Sequence, residues 1–403
     1  MLSVERPSPT PIADQVRHCD PKSDRFAVVV VQLLLDYAQQ VRASDLHLVP
    51  NTHKQIEVAC RIDGLLQPVA VIEPSPQNVI ARLKVLAELL TYRTDVPQEG
   101  RIRQPDGRVE MRVSTFPTVH GEKAVVRLFV GSGTCLQLEE LGYPDDVLIQ
   151  CQNWLRQPQG ALLVTGPAGS GKTTTLYAAL RHIQRVSVSL RSMCSLEDPI
   201  EALVPGVAQS QIQPQAGFTY EVGLKSLLRQ DPEVLMVGEI RDPATASIVF
   251  QAALTGHQVL TTFHAGRAAE ACGRLLDMGI EPYVLKSGLR GVLAQRLVRC
   301  LCDCRRESRD PADLSGLEIE RAWLPTGCPT CGQSGYRGRI PLVESLIPTS
   351  EVGAAILRRA DAHEIEQAAI SSGMIPLRTR ATTAVMLGQS SPQEVLRVLG
   401  WDM

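Results

Sequence analysis

The chain has 403 residues, 44% hydrophobic and 21% charged, with a formal net charge of -2. This length suits two or three domains, and the near-neutral charge argues against a general binder of nucleic acid or anionic membranes. The N-terminus lacks the basic start and apolar core of a signal peptide, and the most apolar run, residues 27–35, is too short to span a bilayer. We therefore expect a soluble, cytoplasmic protein.

The N-terminal third predicts a small α+β domain. Residues 1–25 are polar and proline-rich, which predicts a flexible tail. Helical spacing of apolar residues predicts a helix over Phe26–Gln40, followed by strands with two-residue alternation and a second helix over 77–91. Two strands that pair with each other are predicted, one before and one after His120-Gly121. These elements place the small domain at residues 26–131, followed by a glycine-containing hinge at 132–140.

Alternating helical and strand-like segments over residues 141–403 predict a doubly wound α/β domain. An apolar strand near its start leads into a loop in which Gly166, Gly171, Lys172 and Thr173 fit the phosphate-binding pattern. The glycines let backbone N–H groups surround phosphate oxygens, Lys172 can reach the outer phosphates, and the Thr173 hydroxyl can ligate Mg²⁺. The candidate ATP-binding residues are Gly166, Pro167, Ala168, Gly169, Ser170, Gly171, Lys172, Thr173 and Thr174.

Acidic residues and a histidine follow at three later strand ends. Glu239 ends the apolar run that begins at Val234, where a carboxylate could hold Mg²⁺ through water or orient a nucleophile. Glu197 begins a cluster of three acids within residues 195–201, which suits a general base. His264 could sense a γ-phosphate, although a single histidine is more often structural.

Five cysteines cluster late in the chain. Cys328 and Cys331 have the spacing of a zinc knuckle, and an upstream pair would complete a tetrahedral structural Zn²⁺ site. The upstream pair comes from Cys300, Cys302 and Cys304, and the spacing alone leaves open which two of these bind. The zinc-binding insert is predicted at about residues 298–340, before C-terminal helices at about 350–403.

Arginines are candidates for neutralising charge in a transition state. The small domain supplies Arg101, Arg103, Arg112 and Arg127, and the α/β domain supplies Arg229 and Arg241 on either side of Glu239.

Together, the motifs resemble the secretion ATPases that drive type II secretion and type IV pilus assembly. The resemblance extends from about residue 27 onward and includes the order of the motifs. The matching segments are ASDLHL (43–48), CRIDGLL (60–66), GRIR (100–103), RVSTFPTVHGEKAVVRL (112–128), GPAGSGKTTTLY (166–177), LEDPIE (196–201), LLRQDPEVLMVGEIRD (227–242), ALTGHQVLTTFHA (253–265), RLLDMGI (274–280), LAQRLVRCLC (293–302) and GCPTCGQSGYRGR (327–339).

The resemblance implies a PAS-like small domain and a RecA-like P-loop domain with a tetracysteine zinc subdomain. It implies that Glu197 is the catalytic carboxylate, Glu239 the Walker B glutamate and His264 the histidine of the histidine box. It also implies that Arg112 and Arg127 approach the nucleotide. The implied zinc ligands are Cys302, Cys304, Cys328 and Cys331, with Cys300 as the alternate.

The same resemblance implies a homo-oligomer, expected to be a hexamer, that uses ATP, Mg²⁺ and Zn²⁺. Such a ring docks peripherally on a polytopic inner-membrane platform protein and moves pilin or pseudopilin subunits. The tetracysteine insert favours extension or export, because retraction-type relatives lack it. We therefore expect an ATPase motor for pilus or pseudopilus assembly or for type II secretion, without direct nucleic-acid binding.

Three features depart from the family pattern. About 25 residues precede the small domain, whereas longer members carry an extra N-terminal docking domain. The first zinc pair is shortened to Cys302-x-Cys304, and the histidine box reads FHAGR. Two alternatives stay open, a P-loop motor acting on nucleic acid in DNA uptake or transfer, and a nucleotide-binding scaffold without turnover. The charge and the scarcity of aromatic residues count against the first, and the intact P-loop and acidic residues against the second.

Overall fold

The computed structural model describes residues 12–74, 78–103, 110–128 and 137–400, with Arg103 and Glu110 described in their backbone only. The chain divides into two compact units, Met1–Thr134 and Cys135–Met403. Most of the hinge predicted at 132–140 lies outside the described residues, and its last part forms a 3-10 turn at Leu138–Glu140. Within the described ranges, no helix is long and apolar enough to cross a membrane.

The first unit is an antiparallel six-stranded sheet with helices packed on one face. The strands follow the order β3-β2-β1-β6-β5-β4. They are β1 (Asp45–Pro50), β2 (Ile56–Ile62), β3 (Leu65–Ile72), β4 (Gln98–Arg103), β5 (Glu110–Thr118) and β6 (Gly121–Leu128), and the helices are α1 (Ile12–Arg17), α2 (Phe26–Gln40) and α3 (Val79–Leu86).

The core of this unit consists of apolar residues that alternate along the strands and recur at helical spacing in α2. Leu46 and Leu48 of β1 are buried, as are Val30 and Leu34 of α2, and all four belong to one hydrophobic cluster. The predicted helix Phe26–Gln40 and the predicted strand pair β5–β6 are confirmed, with Thr118 opposite Gly121 at the hairpin. Alternating apolar residues therefore determine which face of the sheet is covered.

The second half of the predicted tail is ordered. Helix α1 contributes Ile12 and Val16, which are 2% and 3% exposed, to the core of the first unit. The prediction of a tail over 1–25 is therefore wrong from residue 12 onward, because two apolar residues four apart give even a six-residue helix a face to bury. Residues 1–11 lie outside the described part of the chain.

The second unit contains a seven-stranded sheet in the order β15-β12-β7-β11-β10-β8-β9, parallel except for β15. Its strands are β7 (Gly160–Thr165), β8 (Met193–Glu197), β9 (Ala208–Gln211), β10 (Val234–Val237), β11 (Gln258–Phe263), β12 (Leu289–Leu301) and β15 (Tyr336–Leu346), with a separate pair β13 (Arg306–Ser308) and β14 (Ala322–Leu324). Its helices are α4 (Asp145–Leu155), α5 (Lys172–Val186), α6 (Tyr220–Leu227), α7 (Pro243–Leu254), α8 (Ala268–Asp277), α9 (Pro282–Gly288), α10 (Ser350–Leu357), α11 (Ala362–Ser371), α12 (Leu377–Met386) and α13 (Pro392–Leu399).

The central strands are buried on both faces, as parallel strands covered by helices require. Every residue of β7 is buried, and its alternate side chains enter different cores. Leu162 and Val164 pack in the cluster that contains α5, whereas Ala161 and Leu163 pack in the cluster that contains α7 and α8. The predicted doubly wound α/β class is therefore confirmed.

Candidate functional site

The phosphate-binding motif connects β7 to α5. Gly166, Gly169 and Gly171 have φ angles of 147°, 74° and 89°, a region that L side chains rarely adopt. A Cβ atom at Gly166 would lie 2.5 Å from the carbonyl oxygen of Gln295, so this position also lacks space for a side chain. The loop therefore has the backbone shape that a phosphate cradle needs, directly before the positive end of a 15-residue helix.

The loop contains groups suited to an anion. Burial lowers the pKa of Lys172, and the charge of Glu239 partly opposes that effect. The Lys172 ammonium donates to the carbonyls of Gly166 and Pro167 at 2.8 and 2.9 Å. Among the described residues, the buried Ser170 hydroxyl has no hydrogen-bond partner. An unpaired donor beside a lysine folded over its own loop fits a site built for phosphate.

Glu197 is the last residue of β8 and is 2% exposed. Three side chains donate to its carboxylate: Tyr177 at 2.5 Å, Ser195 at 2.5 Å and Gln209 at 3.0 Å. Tyr177 belongs to α5, the helix that starts at the P-loop. Burial and the nearby Glu197 charge raise the pKa of Tyr177, so its hydroxyl stays protonated as a donor.

Glu239 lies two residues beyond β10, next to two other polar groups. One carboxylate oxygen is 3.2 Å from Nε2 of His264, and the other forms an ion pair with Arg241. Arg241 also contacts Asp198 at 3.1 Å. The hydrogen bond to Glu239 raises the pKa of Arg241. The structure thus brings Glu239, His264 and Arg241 together, whereas Arg229 donates to the backbone of Lys225.

These groups share one edge of the sheet. The P-loop follows β7, Glu197 ends β8, and Glu239 and His264 follow β10 and β11. These four strands are parallel neighbours, so their carboxyl ends face the same side. In open α/β sheets, ligands bind in the crevice at this edge. Sequence reasoning missed Tyr177, Ser195, Gln209 and Gln295, because the partner of a polar side chain that is distant in the chain is known only after folding.

Two of the arginines predicted in the small domain, Arg112 and Arg127, contact carboxylates of their own unit. Arg112 forms an ion pair with Glu99, and Arg127 is 3.0 Å from Asp45. Arg112 and Arg127 are opposite each other on neighbouring strands. Each is partly exposed and already has a counter-charge.

Four cysteines form a compact cluster in the insert between β12 and β15. The sulfur atoms of Cys302, Cys304, Cys328 and Cys331 lie within 4.8 Å of one another, and Cys300 is not in this group. Three of the distances are 3.8, 3.9 and 3.6 Å. A tetrahedral site with Zn–S bonds of about 2.3 Å separates its sulfurs by about 3.8 Å. A backbone hydrogen bond from Cys331 lowers the pKa of Cys328 to about 6, which favours the thiolate that a metal needs. The geometry therefore fits zinc.

Comparison with known proteins adds a family match. A family model described as "Type II/IV secretion system protein" matches residues 20–397. The chain is 40% identical over 384 residues to the type II secretion system protein HxcR of Pseudomonas aeruginosa, covering 94% of this chain and 78% of that protein. It is 39% identical to the type IV pilus assembly ATPase PilB of Thermus thermophilus, covering 88% of this chain and 41% of that longer protein.

Among solved structures, the fold resembles the Legionella pneumophila ATPase DotB, with a TM-score of 0.69 and 21% identity. That alignment covers 93% of this chain and 96% of DotB.

Proposed function

This chain belongs to the type II/IV secretion system protein family, and on that premise we propose that it is an ATP-hydrolysing motor. It powers pilus or pseudopilus assembly, or type II protein secretion, and the names of its relatives, a type II secretion system protein and a type IV pilus assembly ATPase, support this proposal. The observation that carries this proposal is the placement of the P-loop, Glu197, Glu239 and His264 at one edge of the parallel sheet. That arrangement combines phosphate binding with carboxylates for the attacking water.

The P-loop binds ATP through its backbone N–H groups and the positive end of α5. Lys172 leaves the carbonyls of Gly166 and Pro167 and contacts the outer phosphates instead. Thr173, at the start of α5, and Glu239 are the residues that would hold Mg²⁺. The metal supplies charge neutralisation between the phosphates when it is bound.

Glu197 orients the attacking water or accepts its proton. Its three neighbouring donors fix the carboxylate in one position, and preorganisation of this kind contributes to catalysis. His264 contacts Glu239 and lies at the neighbouring strand end, where it responds to the γ-phosphate. The contact between Arg241 and Glu239 must loosen for Glu239 to act on a metal.

Arg112 and Arg127 neutralise charge that develops during hydrolysis. Each must first leave its ion pair with Glu99 or Asp45, respectively. The four cysteines hold a structural Zn²⁺, because four thiolates leave no open coordination position for catalysis.

The working assembly is a homo-oligomer, a hexamer by resemblance to the family. It associates peripherally with the inner membrane through a polytopic platform protein and acts indirectly on pilin or pseudopilin.

The test separates ATP binding from turnover. Glu197→Gln should keep ATP binding and lose most phosphate release, whereas Lys172→Ala should lose both. Asp36→Asn, in helix α2 of the other unit, serves as the control and should retain both activities. Normal turnover in Glu197→Gln would remove Glu197 from the mechanism. Absence of nucleotide binding in the wild-type protein would refute the motor itself.

A further inference from the structure

Gln295 contacts the P-loop at several points. Strand β12 pairs with β7 so that Ala294 lies opposite Thr165, which places Gln295 beside the first residue of the loop. The side chain is 2% exposed. The backbone carbonyl oxygen of Gln295 occupies the space that a side chain at Gly166 would need, and the side-chain amide nitrogen lies 3.2 Å from the Cβ position of Gly171. Gln295 therefore packs against both ends of the loop.

Hydrogen bonds from the same amide connect the loop to the first turn of α5. Nε2 of Gln295 donates to the Ser170 carbonyl at 2.7 Å. Oε1 accepts from the hydroxyls of Tyr143 at 2.8 Å and Thr175 at 3.1 Å. These two hydroxyls are also 2.7 Å apart. The network is buried, so each of its bonds is protected from competition with water.

The amide of Gln295 satisfies every partner in this position because it offers both a donor and an acceptor. A backbone carbonyl can only accept, so the group facing Ser170 must donate, and the group facing the two hydroxyls must be able to accept. Methionine would fill the volume with neither function. A carboxylate would satisfy the hydroxyls but would place one acceptor against another at Ser170.

We propose that Gln295 is a positioning residue that holds the P-loop in its nucleotide-binding shape and thereby sets the affinity for ATP. The role acts through the loop backbone, because the bond to Ser170 fixes the peptide directly before Gly171 and Lys172. It rests on the proposal that this loop binds ATP.

The first test compares two variants of the full chain by the dissociation constant of a fluorescent ATP analogue. Gln295→Met removes the bond to Ser170 and should weaken binding about tenfold, the effect of losing a buried hydrogen bond. Tyr143→Phe removes a hydroxyl from the same buried network but leaves the Ser170 bond in place, so its affinity should change less than about threefold. Thermal unfolding without nucleotide measures the structural cost of each variant.

A second variant keeps the test decisive if Gln295→Met does not fold. Gln295→Glu preserves volume and the acceptor for the hydroxyls, and burial raises the pKa of a carboxyl at this position. Protonated, it can donate to the Ser170 carbonyl, and ionised, it cannot. The ratio of its dissociation constant to that of the wild type should therefore rise from pH 6 to pH 9. Taking the ratio at each pH cancels the titration of the free nucleotide, which is the same in both samples.

Unchanged affinity in the Gln295 variants would overturn the proposal, and so would either of two further results. One is equal weakening by Gln295→Met and Tyr143→Phe, which would indicate a general loss of stability. The other is a pH-independent ratio for Gln295→Glu. Lys172→Ala distinguishes the two levels of inference, because retained affinity in that variant would refute the ATP site itself. Lost affinity in Lys172→Ala, together with unchanged affinity in the Gln295 variants, would refute only the positioning role.

Discussion

Removing the Tyr177 hydroxyl tests whether the P-loop helix controls the proposed catalytic carboxylate. Tyr177 is 4% exposed and donates to Glu197 at 2.5 Å. The same oxygen accepts the backbone N–H groups of Glu201 and Ala202 at 3.1 and 3.3 Å. Tyr177→Phe therefore frees one oxygen of Glu197 and the loop that follows it, while the aromatic ring remains in the core.

The expected loss of activity in Tyr177→Phe is estimated from the strength of a hydrogen bond to a charged acceptor. A hydrogen bond to a charged group contributes about 1.5–3 kcal/mol. If the hydrogen bond stabilises the transition state by this amount and does not affect ATP binding, its loss lowers kcat about 10- to 100-fold. KM for ATP should change little, because the Gly166–Lys172 loop keeps its own hydrogen bonds.

The assay is steady-state phosphate release from the full chain as a function of ATP concentration. Tyr220→Phe is the matched control. Tyr220 is also buried near this acidic cluster, but within the described residues it is not a donor to Glu197. An unchanged kcat in Tyr177→Phe, or an equal loss in both variants, would show that this hydroxyl does not position the carboxylate.

The remaining predictions concern stability and zinc binding. Lys84→Met leaves Glu122 buried without its partner and should lower the free energy of unfolding in urea by about 3–5 kcal/mol, with part of this loss recovered when Glu122→Gln is added. Cys331→Ser should abolish zinc binding measured by atomic absorption, whereas Cys300→Ser should retain it; equal zinc content in both would contradict the ligand set. Although burial raises it, hydrogen bonds from arginines hold the pKa of Glu394 below its ordinary 4.5. The ionised group therefore stabilises the fold above about pH 4.5, and this contribution is lost as the pH falls through the lower folded-state pKa. Glu394→Gln should lower the melting temperature at pH 7, by an amount that shrinks below pH 4.5; a constant difference would contradict this reasoning.

The strand, loop and helix around the P-loop could be predicted from the sequence because the residues that determine them are adjacent in the chain. An apolar strand followed by spaced glycines and Lys172 determines a strand, a turn and a helix from adjacent residues alone. Parallel strands then place their carboxyl ends on one edge, so Glu239 and His264 were identified from their positions after apolar runs.

The zinc cluster was predictable in part. The spacing of Cys328 and Cys331 indicated a knuckle, but three upstream cysteines fitted the second pair equally well by spacing. The fold separates them, because Cys300 lies within β12 whereas Cys302 and Cys304 follow that strand.

What the sequence determined by itself was the type of the elements around the P-loop and the chemistry at the strand ends, since both depend on residues close together in the chain. Only the tertiary structure decided which distant side chains complete that chemistry. Tyr177 reaches Glu197 across 20 positions, and Gln295 reaches Ser170 across 125. No spacing in the sequence predicts such pairs, because the packing of helices on a sheet and the alignment of its strands determine which distant residues meet. The ordered helix α1 has the same cause, as its two apolar residues gain a core only once the sheet exists.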